Sequence, residues 1–299
     1  MRLPAIAIVP MLFLCSPAAA QVRLTLDNDL FGPHRIGYRA PDYEYTAGTR
    51  LSWRSAGTRW WAAPLGLAPD SAGGARRLRT TWEAGQEIYT PRHDAPEPLP
   101  GERPYAGWLY GSVTAEETRP GLRRAATLQL GATGPPSLAA PVQREIHRLG
   151  GFEPPEGWAH QLAFEPGVVL RLAEARSVSA GVAGAAAEIG PEWEVALGNV
   201  LTGARAGLHA RVARGGLYAL AGVREEWVAR DLFLDGNTFR EGPRVVKNPF
   251  VAQAELGAGA RIGRVGLEYR ATFRGREYAT QESPHAWGSV VLVLGPRQR

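Results

Sequence analysis

The sequence predicts an all-β protein: a 12-stranded antiparallel transmembrane β-barrel with a short helix in one extracellular loop. Three observations predict it. Apolar and polar residues alternate with a period of two along many segments of about ten residues, the pattern of strands with one greasy and one wet face. Beyond the first residues no run of about 18 apolar residues occurs, so no helix does the crossing. The opening residues have the layout of an export signal.

Taken in chain order, MRLPAIAIVPMLFLCSPAAAQ places Arg2 before an apolar run from Ala5 to Leu14, then the small residues Ala18 and Ala20. Residues 1–20 are therefore expected to be a signal peptide cleaved near Ala20, and residues 21–299 a single barrel domain. The one cysteine, Cys15, falls within the signal. An exported chain without disulfides draws its stability from a large core, a membrane or a metal. The chain holds 34 basic and 29 acidic residues, and Lys247 is its only lysine. Arginine's planar fork suits phosphate, so an anionic partner is one reading of this bias and general arginine usage the other.

Strands are expected near 21–29, 45–55, 79–90, 105–117, 123–133, 161–173, 177–188, 195–213, 217–230, 248–261, 263–274 and 286–295. GLEYRATFR shows the pattern, with Leu267, Tyr269, Ala271 and Phe273 on one face and Glu268, Arg270, Thr272 and Arg274 on the other. The joints near 118–122, 174–176, 214–216 and 261–263 are short; those near 30–44, 91–104, 134–160, 231–247 and 275–285 are long. Short periplasmic turns and long extracellular loops are the rule for outer-membrane barrels. The joint at 56–78 is long on the short-turn side. In SLAAPVQREIHRLGG, Ser137 offers an N-cap, Val142, Ile146 and Leu149 recur at helical spacing, and Gly150-Gly151 stops the helix. A lumen carrying both signs of charge argues against an open channel. Trp53, Trp108 and Trp287, near strand ends, are candidates for the aromatic girdles.

With both termini periplasmic, Asn28-Asp29, Tyr45-Thr46, Tyr89-Thr90-Pro91-Arg92 and Arg103-Pro104-Tyr105 meet at the outer rim, joined by the loop holding His147. Neither G-x-S-x-G nor H-E-x-x-H occurs, and no cysteine is left as a nucleophile. A hydrolase built from these residues would use a histidine to activate water, with a cation or arginine stabilising the oxyanion. Of the six histidines, His209 alternates into the lumen and His34, His93, His160 and His285 fall in loops. His147 sits on the short helix, a semi-rigid platform for a base.

The blocks LDNDLF, YEYTAGTRLSW, GQEIYTP, ERPYAGWLY, GATGPPSLAAPVQREIHRLGG, GWAHQLAFEP, VALGNVLTGARAG and REYATQESPHAWGSV run in order along the chain. Together they resemble the lipid A 3'-O-deacylases of the LpxR type. The resemblance implies a Ca2+-dependent site between barrel wall and extracellular loops that hydrolyses the 3'-linked acyl chain of lipid A. It places Asp29 and Asn28 at the metal, His147 as general base and Thr46 as a hydrogen-bonding support. The family's lysine after the YTP block is absent here; Arg92 stands in its place with Arg103 behind it. Gln143, Glu165 and Glu277 fall in matched blocks and are read as structural. The partners implied are lipopolysaccharide and the outer membrane, with no nucleic acid and no protein partner, the chain being a monomer. Two other readings stay open: a catalytically silent barrel that binds lipopolysaccharide or serves as a surface protein, and a phospholipase-type esterase.

Overall fold

The computed structural model describes residues 21–33, 43–56 and 77–296. The expected signal peptide, His34 and, of the joint expected at 56–78, residues 57–76 lie outside them. Twelve strands close into an antiparallel barrel: β1 (Gln21–Asn28), β2 (Glu44–Ala56), β3 (Arg77–Thr90), β4 (Ala106–Arg119), β5 (Leu122–Thr133), β6 (Glu165–Arg176 continuing as Val178–Val182), β7 (Ala185–Gly198), β8 (Leu201–Arg214), β9 (Leu217–Asp231), β10 (Phe250–Ile262), β11 (Val265–Arg274) and β12 (His285–Leu294). Each pairs with its sequence neighbours, and β1 pairs with β12 to shut the seam, Leu24 opposite Leu292. Closure leaves no strand edge for lipid to solvate.

Two expectations fail along β6 and β7. No turn occurs at 174–176. Strand β6 runs through a break at Ser177, and both of its segments pair with β7. The turn falls instead at Ala183-Gly184, both at positive φ, the geometry of a two-residue hairpin. Strand β7 thus occupies 185–198, and only Asn199-Val200 separates it from β8 at the rim where the other described connections are long.

Alternation sorts the side chains as expected. Leu26, Leu51, Leu109, Leu128, Leu130 and Leu267 are exposed on the outer wall. Inward residues form a charged lattice: Arg50 with Asp27, Arg171 and Arg205 with Glu194, Arg270 with Glu255 and Glu268, and Arg274 with Glu226. Ion pairs inside a barrel replace the water each charge would lose, which a lone buried charge cannot do. They surround a cavity of about 1080 Å³ that reaches Arg119 and Pro120 at the short-turn rim.

At the long-loop rim aromatic side chains line that cavity. Phe233, on a one-turn helix α2 (Leu232–Asp235), stacks on Tyr89 at 4.5 Å. Tyr89 meets Tyr45, Tyr45 meets Trp287, and Trp287 meets His285. Arg103 lies over the Tyr89 ring. The expected girdle role fails for Trp108 and Trp287, which face this interior; Trp108 shares the parity of Tyr110, whose hydroxyl donates to Glu83 in the lumen. Trp53 does face out, opposite Trp82 near the short-turn end of β2. His285, expected in a loop, opens β12 and is buried.

Candidate active site

The candidate residues gather on the outside of the wall, at the long-loop rim of β1 to β3. Along β1, Leu24, Leu26 and Asn28 share the outward parity, while Thr25 and Asp27 face the lumen. There Asp27 accepts the Tyr45 hydroxyl at 2.7 Å. Alternation alone would send Asp29 inward as well. It does not apply, because the strand ends at Asn28 and a 3-10 turn, Asp29–Phe31, begins. The Asn28 side chain caps this turn by accepting the Leu30 N–H at 2.8 Å. Asp29 is buried, and one carboxylate oxygen accepts the Tyr43 N–H at the start of the next strand.

Opposite Asn28 stands Ala47. Between Tyr45, which pairs with Tyr89, and Ala47, which pairs with Ile88, the ladder slips by one residue, and that residue is Thr46. The bulge keeps Tyr45 inside and turns Thr46 to the same outer face as Ala47. Its hydroxyl meets that of Thr90 at 2.7 Å, and both residues are buried.

Helix α1 (Ala139–Gly150) covers this wall. It docks through Ala139, Ala140 and Val142 onto a cluster with Ile88, Tyr105, Trp158 and Ala47. Gly107 permits the approach: a Cβ there would lie 2.3 Å from that of Ala139. Gln86 ties the helix entry down by donating to the Ser137 carbonyl at 2.6 Å. The expected cap is corrected here. Leu138 holds the N-cap position in the left-handed region, and Ser137 belongs to the 3-10 turn Pro135–Ser137 before it. Of the apolar positions expected on the helix, only Val142 packs on the wall. Gln143 and His147 are buried with Ala139 and Ala140, whereas Ile146 and Leu149 are exposed.

His147 is held by its own loop. Its Nδ1 donates to the Glu153 carbonyl at 2.5 Å, and Phe152 packs against the ring edge-on. A carbonyl only accepts, so the proton of neutral His147 sits on Nδ1 and the lone pair on Nε2. One turn earlier, Gln143 accepts the Trp158 indole N–H at 2.7 Å, which fixes its amide with the NH2 group away from the tryptophan.

The two arginines part company. Arg103 is wholly buried in the barrel mouth, donating to Glu44 at 3.2 Å and Glu277 at 3.0 Å. Arg92, two residues beyond Thr90, stays at the rim and pairs with Glu282 at 2.9 Å. Glu277 belongs to the mouth with Arg103 and Arg274. Glu165 binds Asn199, Asn237 and the Thr238 N–H, fastening the loop after β9 to the wall.

Asp29 and Asn28 present hard oxygen donors on one short turn, the donor type Ca2+ takes. Among the described residues no cluster of three or more His, Cys, Asp or Glu could hold a metal. Among the described residues, Asp29 supplies the carboxylate and Asn28 the amide oxygen that a cation here would take. The Asn28 oxygen keeps a second lone pair after accepting from Leu30, so its capping role is compatible with ligation.

Three partners of the site are not evident from motif reading: Tyr43, Trp158 and the Glu153 carbonyl. Thr90 carried a signal, since Tyr45-Thr46 and Tyr89-Thr90 are the same dipeptide at neighbouring ends of paired strands. The Glu153 contact runs through backbone and has none.

The sequence profile of the outer membrane protein LpxR family matches residues 6–215 and 212–295. Among solved structures, LpxR from Salmonella typhimurium superposes with a TM-score of 0.77 at 19% identity, over 92% of this chain and 99% of that one. The β domain of the Bordetella autotransporter BrkA reaches 0.48 at 12% identity, covering 93% and 98%. The translocator domain of NalP from Neisseria meningitidis reaches 0.47 at 10%, covering 95% and 90%. No curated protein sequence matches the chain.

Proposed function

Because the chain belongs to the LpxR family of outer membrane proteins, we propose that it is an esterase acting on lipid A from within the outer leaflet, removing the 3'-linked acyl chain with the help of Ca2+. The observation that carries this reading is His147: buried on the wall-facing side of helix α1, with Nδ1 committed to the Glu153 carbonyl. A histidine so held presents Nε2 as a base on the lipid-facing side of the barrel.

In the reaction, Nε2 takes a proton from water as the water oxygen attacks the ester carbonyl carbon. The tetrahedral intermediate then collapses, and the same nitrogen returns the proton to the departing sugar oxygen. The products are a fatty acid and a free 3'-hydroxyl. A Ca2+ ion at Asp29 and Asn28 would supply positive charge for the carbonyl oxygen. Thr46, paired with Thr90, and the fixed amide of Gln143 offer neutral donors around the ester. Arg92, released from the exposed Glu282, is the cation available to a lipid A phosphate.

The test is the mass spectrum of lipid A from membranes with and without the protein. Loss of the 3'-linked acyl mass with Ca2+, and its retention with a chelator or in His147→Ala, is the expected result. Unchanged lipid A with a folded barrel and Ca2+ present would remove the reading. The Arg92–Glu282 pair favours one alternative, a silent barrel that binds lipopolysaccharide without cleaving it. Under that reading His147→Ala leaves lipid A mass as it is in the parent. A phospholipase-type reaction would show as fatty acid released from glycerophospholipid vesicles that lack lipid A.

A further inference from the structure

The turn that carries Asp29 lies across the seam of the barrel, against β12 and β11. There Tyr269 of β11, lying on the outer wall, donates its hydroxyl to the Phe31 carbonyl at 2.6 Å. Strand β12 passes between the two. Its residue opposite Asn28 is Gly288, and a Cβ at that position would lie 2.2 Å from the same Phe31 oxygen. The turn therefore occupies the space of a side chain that β12 omits.

Three further bonds hold the turn: Gly32 N–H to the Asp29 carbonyl at 2.8 Å, Leu30 N–H to the Asn28 side chain, and Tyr43 N–H to the Asp29 carboxylate at 3.2 Å. A single 3-10 turn of three residues has little stability of its own, because one intrahelical bond does not offset the order it requires. Its position is set from outside. Tyr269 is 43% exposed on the lipid side, so its ring contributes modestly to packing, and the hydroxyl needs a partner there. The Phe31 carbonyl is that partner.

We propose that Tyr269, with Gly288 providing the clearance, is a positioning residue that holds the Asp29 carboxylate where a Ca2+ ion needs it. The inference rests on Asp29 as a calcium ligand. Oxygen ligands of Ca2+ must converge within a narrow shell, and a turn free to swing over the rim would present Asp29 only part of the time.

The experiment is calorimetric titration of the folded full-length barrel with CaCl2 in Ca2+-free detergent, for the wild type, Tyr269→Phe, Gly288→Ala and Asp29→Asn. Hydrogen exchange of the Leu30 and Gly32 amides is followed without metal. Tyr269→Phe is expected to weaken Ca2+ binding about five- to tenfold, the size of one lost hydrogen bond. The turn amides then exchange faster, while barrel amides keep their protection. Gly288→Ala acts in the same direction and more strongly. A wild-type protein that binds Ca2+ while Tyr269→Phe binds it equally overturns the proposal alone. A wild-type protein that takes up no Ca2+ overturns the calcium reading of Asp29 as well.

Discussion

Thr46 and Thr90 hold their hydroxyls 2.7 Å apart on the outer wall of the barrel, and they do so because the β2–β3 ladder slips by one residue at Thr46. Without that bulge one of the two would point into the lumen. The pair is buried beside Ala47, under the helix that carries His147. Thr46→Val keeps the shape and removes the hydroxyl, so the buried bond to Thr90 is lost, at a cost of about 0.5–1.5 kcal/mol. We expect deacylation by Thr46→Val to fall about tenfold or more, and Thr46→Ser to stay near the parent, as measured by initial rates on lipid A vesicles. Equal losses in both would show that the methyl packing matters and the hydroxyl does not.

His147→Ala removes the proposed base, its Nδ1 bond to the Glu153 carbonyl and the ring that Phe152 packs on. The rate should drop about 10²- to 10⁴-fold, the range for a positioned general base, while the folded barrel keeps its heat-modifiable migration. His147→Gln is the sharper variant. Its amide can still donate to the Glu153 carbonyl and hold the loop, yet it has no titratable nitrogen. Activity retained in His147→Gln would assign the residue a structural role.

The barrel was legible because alternation is strong wherever arginine or glutamate faces leucine or tyrosine. It failed between residues 174 and 198, where GVAGAAAE offers small residues that suit either face, and where the hairpin turn places Ala183 at positive φ. The site was legible only as a set of strand ends. Period-two reading cannot see a bulge, so it aims Tyr45 and Thr46 without the slip that decides which of them faces out. Nor could it separate Arg92 from Arg103, the same residue type in one loop. Burial does: Arg103 is sealed among Glu44, Glu277 and the Tyr89 ring, which removes it from any role on the outer wall.

That sealed group makes the mouth sensitive to acid. Burial pushes the Glu277 carboxyl up, but Arg274 and Arg103 overcome it and hold it at about 2, below its ordinary 4.5. A depressed carboxylate stabilises the fold fully above pH 4.5, and the contribution is lost as pH falls toward 2. Arg103→Met leaves Glu44 and Glu277 facing each other without their shared cation, a change that costs about 3–5 kcal/mol when a buried pair is broken. Its unfolding midpoint at neutral pH should drop by several degrees, and its acid transition should move to higher pH. Unaltered thermal and acid transitions in Arg103→Met would show that the mouth does not limit stability.

Helix α1 carries an apolar edge that its packing leaves uncovered. Leu149 is 71% exposed, Phe152 46% and Ile146 42%, beside the buried face of Gln143 and His147. Contiguous large apolar residues facing water are unfavourable, and an amphipathic helix of this kind belongs at the lipid interface with its charged face, here Arg144, Glu145 and Arg148, toward the headgroups. Under the proposed function, this edge would meet the acyl chains of the outer leaflet beside His147. Replacing Ile146 and Leu149 together by serine should raise KM for lipid A in vesicles about tenfold or more, given roughly 1.5–3 kcal/mol for each large side chain buried. Hydrolysis of a dispersed short-chain ester should be nearly unchanged, because His147 and its Glu153 contact remain. If both substrates lose activity alike, the edge stabilises the helix and does not engage the acyl chain.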